Sequence, residues 1–252
     1  MKREEALFKY LLRLADDSLI LGHRLSEWCS KAPYIEEDLA LTNISLDMIG
    51  RTEALLNYAA KIEGKNQTAD DLAYRRPEHH YYNHLLCEQA NGDFAFTIVR
   101  QLFQSTFEYF LYTELLKSKD ETVAAIASKA IKEIKYHLQH ASDWTIRLGD
   151  GTEESKRRMQ KAVNELWMYT GELFEMDAVE NILMKSAIAA DLVPIKVQWQ
   201  NKIQQLLTEA TLTVPEDDYM QTGGRNGKHT ENLGHILCEM QYLQRAYPDA
   251  KW

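Results

Sequence analysis

Only five prolines and eleven glycines interrupt this 252-residue chain. The stretches they leave are long, and their apolar side chains recur at helix spacing. From about Arg3 to Ser30, Leu7, Leu11, Leu14, Leu21, Leu25 and Trp28 fall along one side, and Pro33 ends the segment. A second helix opens on Glu36, Glu37 and Asp38, whose charge suits a helix N-terminus. It carries Ile44, Met48, Leu55, Ala59 and Ile62 on its inner side and closes at Gly64. A polar connection follows over 65–92, with a short helix around Tyr82 to Glu88. Asp93 then caps a third helix reaching about Leu116, rich in aromatics at Phe94, Phe96, Phe103, Phe107, Tyr109, Phe110 and Tyr112. Asp120 opens a fourth, with Ile126, Ala130, Ile134, His137, Ala141 and Trp144, stopped at Gly149. Thr152 begins a fifth to about Phe174, with a break near Asp177. Pro194 fits the first turn of another, to about Thr211.

No two-residue hairpin signal and no sustained alternation is present, so the chain reads as all-α. Four helices of more than about 20 residues predict a long helical bundle. The 65–92 link between the second and third helices suits a crossover joining two antiparallel hairpins, as in ferritin-like bundles; helix lengths alone suit other bundles equally. The expected organisation is one domain over 1–252, with a core bundle over about 3–149 and C-terminal helices over about 152–247. A net charge of −9 argues against a nucleic-acid partner. Cys29, Cys87 and Cys238 have no paired spacing, which fits reduced thiols. Lys9, Arg13, Asp16 and Asp17 break up the N-terminal apolar run, and no segment approaches a membrane span. The expected location is cytoplasmic.

A ferritin-like bundle raises the question of a carboxylate-bridged di-iron centre. Such a centre takes a Glu from each of two helices and a Glu-x-x-His from each of two others, the three-residue spacing placing both ligands on one face. The residues three positions before the eight histidines are Ile20, Arg76, Pro77, Tyr81, Ile134, His137, Asn226 and Asn232. None is acidic. What remains is a degenerate set: Glu133 and His137 one turn apart with His140 beyond, Asp47 inside the second helix, and Glu108 among the aromatics of the third. One Glu-His pair offers few ligands, so these residues read more simply as a hydrogen-bonded remnant or as surface groups. His79, His80 and His84 with Glu78 lack a convincing third zinc ligand. Glu231 and His235 form an ordinary helix pair, the Lys156-Arg157-Arg158 run suits a solvated face, and no nucleophile elbow is present.

The most distinctive segment is 222–245, Thr-Gly-Gly-Arg-Asn-Gly-Lys-His-Thr-Glu-Asn-Leu-Gly-His-Ile-Leu-Cys-Glu-Met-Gln-Tyr-Leu-Gln-Arg. Gly223, Gly224 and Gly227 interleave with Arg225, Lys228 and His229 ahead of a helix that Thr230 can cap. Leu233, Ile236, Leu237, Met240 and Leu243 form its apolar stripe. A glycine-and-cation loop before a helix can hold an anion, although this one matches neither phosphate fingerprint. Word for word, the segment resembles the C-terminus of PaaC-type subunits of bacterial phenylacetyl-CoA epoxidases. Leu-Gly-His-Arg-Leu-Ser-Glu-Trp-Cys at 21–29 and Lys-Ala-Ile-Lys-Glu-Ile-Lys-Tyr-His-Leu at 129–138 resemble the same family. The resemblance implies a ferritin-like fold and a metal-free structural subunit with no catalytic, metal or cofactor residues of its own. It implies a di-iron catalytic subunit as partner, with electrons from NADPH through a flavin and iron–sulfur reductase. A homodimer is a further option. Gly223, Gly224, Arg225, Lys228 and His229 are the expected contacts to a partner or an anion, with packing inside the chain as the competing role. A self-sufficient di-metal protein using Asp47, Glu108, Glu133 and His137 is the alternative.

Overall fold

Short-range signals explain most of the helix boundaries. A computed structural model describes residues 1–216, 218–248 and 250. Eleven α-helices occur among them: α1 (Arg3–Ser26), α2 (Ile35–Glu63), α3 (Ala69–Tyr74), α4 (Leu85–Glu88), α5 (Phe94–Leu115), α6 (Glu121–Gly149), α7 (Glu153–Trp167), α8 (Ala178–Lys185), α9 (Leu192–Glu209), α10 (Glu231–Met240) and α11 (Tyr242–Ala246). No strand occurs among the described residues. The fold is all-α and of the ferritin-like bundle class. Two long hairpins, α1–α2 and α5–α6, are separated by the irregular crossover, and a helical segment follows.

The caps expected at Asp93 and Asp120 form: Asp93 accepts from the Phe96 N–H at 2.9 Å, and Asp120 from the N–H groups of Thr122 and Val123 at 3.1 and 3.0 Å. Gly64 takes the left-handed conformation, φ 68°, that closes α2. Three boundaries differ from expectation. α1 stops at Ser26 rather than Ser30, because the chain turns there and Ser30 itself is left-handed at φ 66°. The fifth helix ends at Trp167, and Gly171–Phe174 is a separate 3₁₀ turn before Asp177 caps α8. α3 lies in the polar crossover expected to be irregular, where Thr68 and Asp71 form a reciprocal capping box.

The chain divides into two compact units, residues 1–90 with 223–252 and residues 91–222. In the first, α1 lies against α2, α4 and α10 and is buried almost all round. Leu11, Leu21 and Leu25 of α1 and Ile44, Met48 and Leu55 of α2 are all at 1 % exposure or less. Polar ties cross the same seam: Ser45 Oγ donates to the Gly22 carbonyl at 2.7 Å, and Arg51 Nε to Ser18 Oγ at 2.9 Å.

In the second unit α5 lies against α6, α7 and α9. Its centre is aromatic. Trp199 stands 5.7 Å from Phe103, 5.8 Å from Trp167 and 5.4 Å from Phe174, ring centroid to centroid. Phe107 meets Phe174 edge-on at 5.7 Å. The indole N–H of Trp199 donates to the Phe103 carbonyl at 2.9 Å, so the one polar atom of the ring is satisfied. Phe103, Phe107 and Tyr112 are buried, whereas Phe94, Phe96, Tyr109 and Phe110 are half-buried, so only part of the α5 aromatic series is deep core.

Candidate functional site: a buried ionic network under the glycine loop

Adjacent residues on a helix point roughly 100° apart, so Asp16 and Asp17 of α1 reach different neighbours. Both carboxylates are buried, at 0 % and 3 % exposure. Burial on that scale demands a partner for each.

Asp16 faces the crossover. Its Oδ2 accepts from Arg76 Nη1 at 3.0 Å and from the Tyr82 backbone N–H at 2.8 Å, while Arg76 Nη2 pairs with Oδ1. The guanidinium also donates to the carbonyls of Leu72 and His80 and lies over the Tyr81 ring, 4.2 Å from its centroid. Burial raises the Asp16 pKa, and Arg76 counters only part of that.

Asp17 faces the glycine loop. Arg225 Nη2 donates to Oδ2 at 2.8 Å and Nη1 to Oδ1 at 3.2 Å, a two-pronged pair. The same guanidinium donates to the carbonyls of Arg13 and Tyr82, and the His84 N–H donates to Asp17 Oδ1 at 2.7 Å. Burial alone would push the Asp17 carboxyl up; Arg225 and His84 outweigh it and hold the group at about 2.

A third pair lies beside these. Glu88, the last residue of α4, accepts from Asn83 at 2.8 Å and from the Thr230 backbone N–H at 2.6 Å. His229 Nδ1 is 2.8 Å from Glu88 Oε2, and its Nε2 is 2.9 Å from the Tyr81 carbonyl. Both ring nitrogens face acceptors, an arrangement that favours the imidazolium. Burial works against that charge, but the Glu88 carboxylate prevails and raises the His229 pKa. Thr230 occupies the N-cap of α10, yet its hydroxyl makes no cap bond; its N–H serves Glu88 instead.

Gly227 explains why the loop is glycine-rich. It sits at φ 72°, and a Cβ there would overlap the His79 carbonyl. The loop thus runs flush against the crossover while Arg225 and His229 reach under it. Gly223 and Gly224 are buried, and Lys228 remains exposed.

The other candidate residues are distributed differently. Asp47 is half-buried on α2 of the first unit. In the second unit Glu108 of α5 is buried at 2 % exposure and accepts from Gln104 at 3.2 Å; Glu133 is half-buried and His137 buried on α6. Among the described residues, the one group of three metal-competent side chains includes none of these four. It is Asp17, His84 and Cys87, all buried, with ligand atoms within 4.8 Å of one another. The histidine cluster separates: His79 and His80 are exposed, while His84 turns inward to Asp17, its Nδ1 3.2 Å from Oδ2.

Two of the three donors, Asp17 and His84, are already engaged by a cation of the protein itself. Arg225 Nη2 lies 2.8 Å from Asp17 Oδ2 and 3.3 Å from His84 Nδ1, so a permanent cation already touches two of the three ligands. A divalent ion would have to displace it. The network fastens residues 223–230 to α1 and the crossover. Sequence reasoning passed over Asp16, Asp17, Arg76 and Glu88. The available signal was a pair of aspartates in the middle of an apolar helix.

Comparison with known proteins places the sequence in a family. Residues 1–252 match the family model described as phenylacetic acid catabolic protein. The chain is 46 % identical over 246 residues to an Escherichia coli (strain K12) protein named as one of the subunits of 1,2-phenylacetyl-CoA epoxidase, covering 98 % of this chain and 99 % of the relative. No helix among the described residues is long and apolar enough to cross a membrane. The chain belongs to the phenylacetic acid catabolic protein family.

Proposed function

We propose that this chain is a structural, catalytically silent subunit of a cytoplasmic phenylacetyl-CoA epoxidase, paired with a di-iron catalytic subunit. The observation that carries the reading is the ligand set. No histidine follows an acidic residue by three positions, so neither Glu-x-x-His of a di-iron centre can form. Among the described residues, the one compact group of metal-competent side chains is served by Arg225. The name of the Escherichia coli relative supplies the complex and the acyl-CoA substrate class. In this role the chain contributes a rigid helical surface and no cofactor; the irons belong to the partner, and NADPH, flavin and iron–sulfur centres to the reductase. Of the loop cations, Lys228 alone is exposed, since Arg225 and His229 are engaged internally.

Co-expression with the host's own candidate di-iron subunit tests the proposal. A stable complex is expected, with iron and epoxidation lost when the partner's ligands are replaced and unaffected by Glu133→Gln or His137→Gln in this chain. Stoichiometric iron and oxygen-dependent turnover by this chain alone would identify it instead as a self-sufficient di-metal oxygenase.

A further inference from the structure

The first half of α2 carries an apolar stripe that the chain itself leaves open. Ile35, Leu39 and Leu46 are exposed at 73 %, 60 % and 63 %. At about 100° per residue they fall within a roughly 40° arc of the helix surface. Leu39 and Leu46 are seven apart, the repeat of a helix–helix seam. Large aliphatic groups this exposed and this aligned mark an interaction surface rather than scattered surface residues.

Gly50 lies on the same face. It interrupts a 29-residue helix with one of the poorest helix formers, and nothing lies within 4 Å of the position its Cβ would take. Packing within the chain therefore gives no reason for a glycine there. Close approach of another backbone does.

Charge selects the kind of partner. Residues 35–50 hold Glu36, Glu37, Asp38 and Asp47 and no lysine or arginine. On the helical projection Glu36 and Asp47 border the stripe on one side and Asp38 on the other. Two copies of this face brought together would set carboxylates against carboxylates, which disfavours a second copy of the chain.

We infer that the α2 face formed by Ile35, Leu39, Leu46 and Gly50 docks a helix of a different protein, with apolar residues at matching spacing flanked by lysine or arginine. Resting on the function proposed above, that helix belongs to the di-iron subunit. The apolar residues supply the contact area, the glycine sets the interaxial distance, and the carboxylates choose the partner and its register.

The test uses the purified complex of the two proteins and three variants of this chain: Leu39→Asp with Leu46→Asp, Gly50→Leu, and Glu36→Lys with Asp38→Lys. Circular dichroism and melting of the isolated chain should remain as in wild type for the aspartate variant, and Gly50→Leu should melt no lower, since leucine favours helix; the charge reversal removes first-turn carboxylates and should melt slightly lower while staying folded. Dissociation constants should rise at least about tenfold for the first two, and for the charge reversal at low salt. Gly50→Leu is decisive, because a purely internal role for the glycine would not weaken the complex while leaving the chain as stable as before. Wild-type affinity in the aspartate and leucine variants would overturn the assignment of this face and leave the proposed function standing. Self-association of the wild-type chain that these substitutions abolish would overturn it in favour of a homodimer. Failure of the wild-type chain to bind the di-iron subunit at all would overturn the function and, with it, the occupant.

Discussion

The interiors of the two units solve the same problem by different means. In residues 91–222 the centre is a cluster of rings, Trp199 with Phe103, Trp167 and Phe174. In the other unit the centre of α1 is ionic, with Asp16, Asp17 and Glu88 matched to Arg76, Arg225 and His229. Ring packing depends on volume and shape and is indifferent to protons. The ionic centre depends on each charge keeping its partner and registers pH directly. The difference separates two roles: one unit is a packed scaffold, and the other is closed by specific, directional bonds to its own C-terminal segment.

The largest effect should come from breaking the ionic side. Asp17→Ala leaves Arg225 buried without its carboxylate and should cost about 3–5 kcal/mol in urea unfolding, as one-sided removal of buried pairs does. A loss below about 1 kcal/mol would mean that water or Asp16 takes over the guanidinium. On the aromatic side Trp199→Phe keeps most of the ring but loses the bond to the Phe103 carbonyl, so about 2 kcal/mol is expected, with the same value at pH 6 and pH 9. A pH-dependent loss would erase the contrast between the units.

His229 gives a finer test. Its pKa is raised above the ordinary 6.5, so its contribution is fully present below 6.5 and disappears as pH rises through the elevated folded value. Asp17, lowered from 3.8 to about 2, contributes above 3.8 and loses that contribution as pH falls toward 2. Asp16, raised by burial, acts in the opposite sense at the acid end, because the folded state takes up its proton more readily. Stability of wild type should therefore decline from pH 6.5 into the alkaline range, and His229→Gln should flatten that limb. An unchanged alkaline slope would place the dependence elsewhere.

The smallest effect is expected at Glu154. Hydrogen bonds from Arg157 and Arg158 lower its pKa to about 2, the same value as Asp17, yet it is fully exposed on α7. Glu154→Gln should leave the unfolding midpoint unchanged within error, because solvent and salt screen such pairs. A measurable shift would show that pKa values alone rank the two sites, and the distinction by burial would fail.

Legibility in the sequence follows the range of the signal. α2, α5 and α6 are readable because Gly64, Asp93 and Asp120 act on residues within one turn. α3 is not, since six residues are too few to show a period. The end of the fifth helix escapes sequence reading because Met168 to Phe174 continue an apolar pattern while the backbone tightens to 3₁₀. The ionic network is the extreme case: Arg225 and Asp17 are 208 residues apart, and nothing near either names the other. Arg225 and His229 are visible as unusual; that they turn inward to carboxylates depends on Gly227 bringing the loop onto the His79 carbonyl.

That 208-residue separation bears on how the protein is made. Synthesis delivers Asp16 and Asp17 well before Arg225 and His229. Residues 91–222 form a continuous unit that is entirely translated before either cation leaves the ribosome. Asp16 meets Arg76 early in elongation, and Asp17 has His84, but the guanidinium that completes the Asp17 pair comes only after the whole second unit. The first unit to be started is therefore the last to be completed, because its Asp17–Arg225 pair cannot close until all of residues 91–222 have been made.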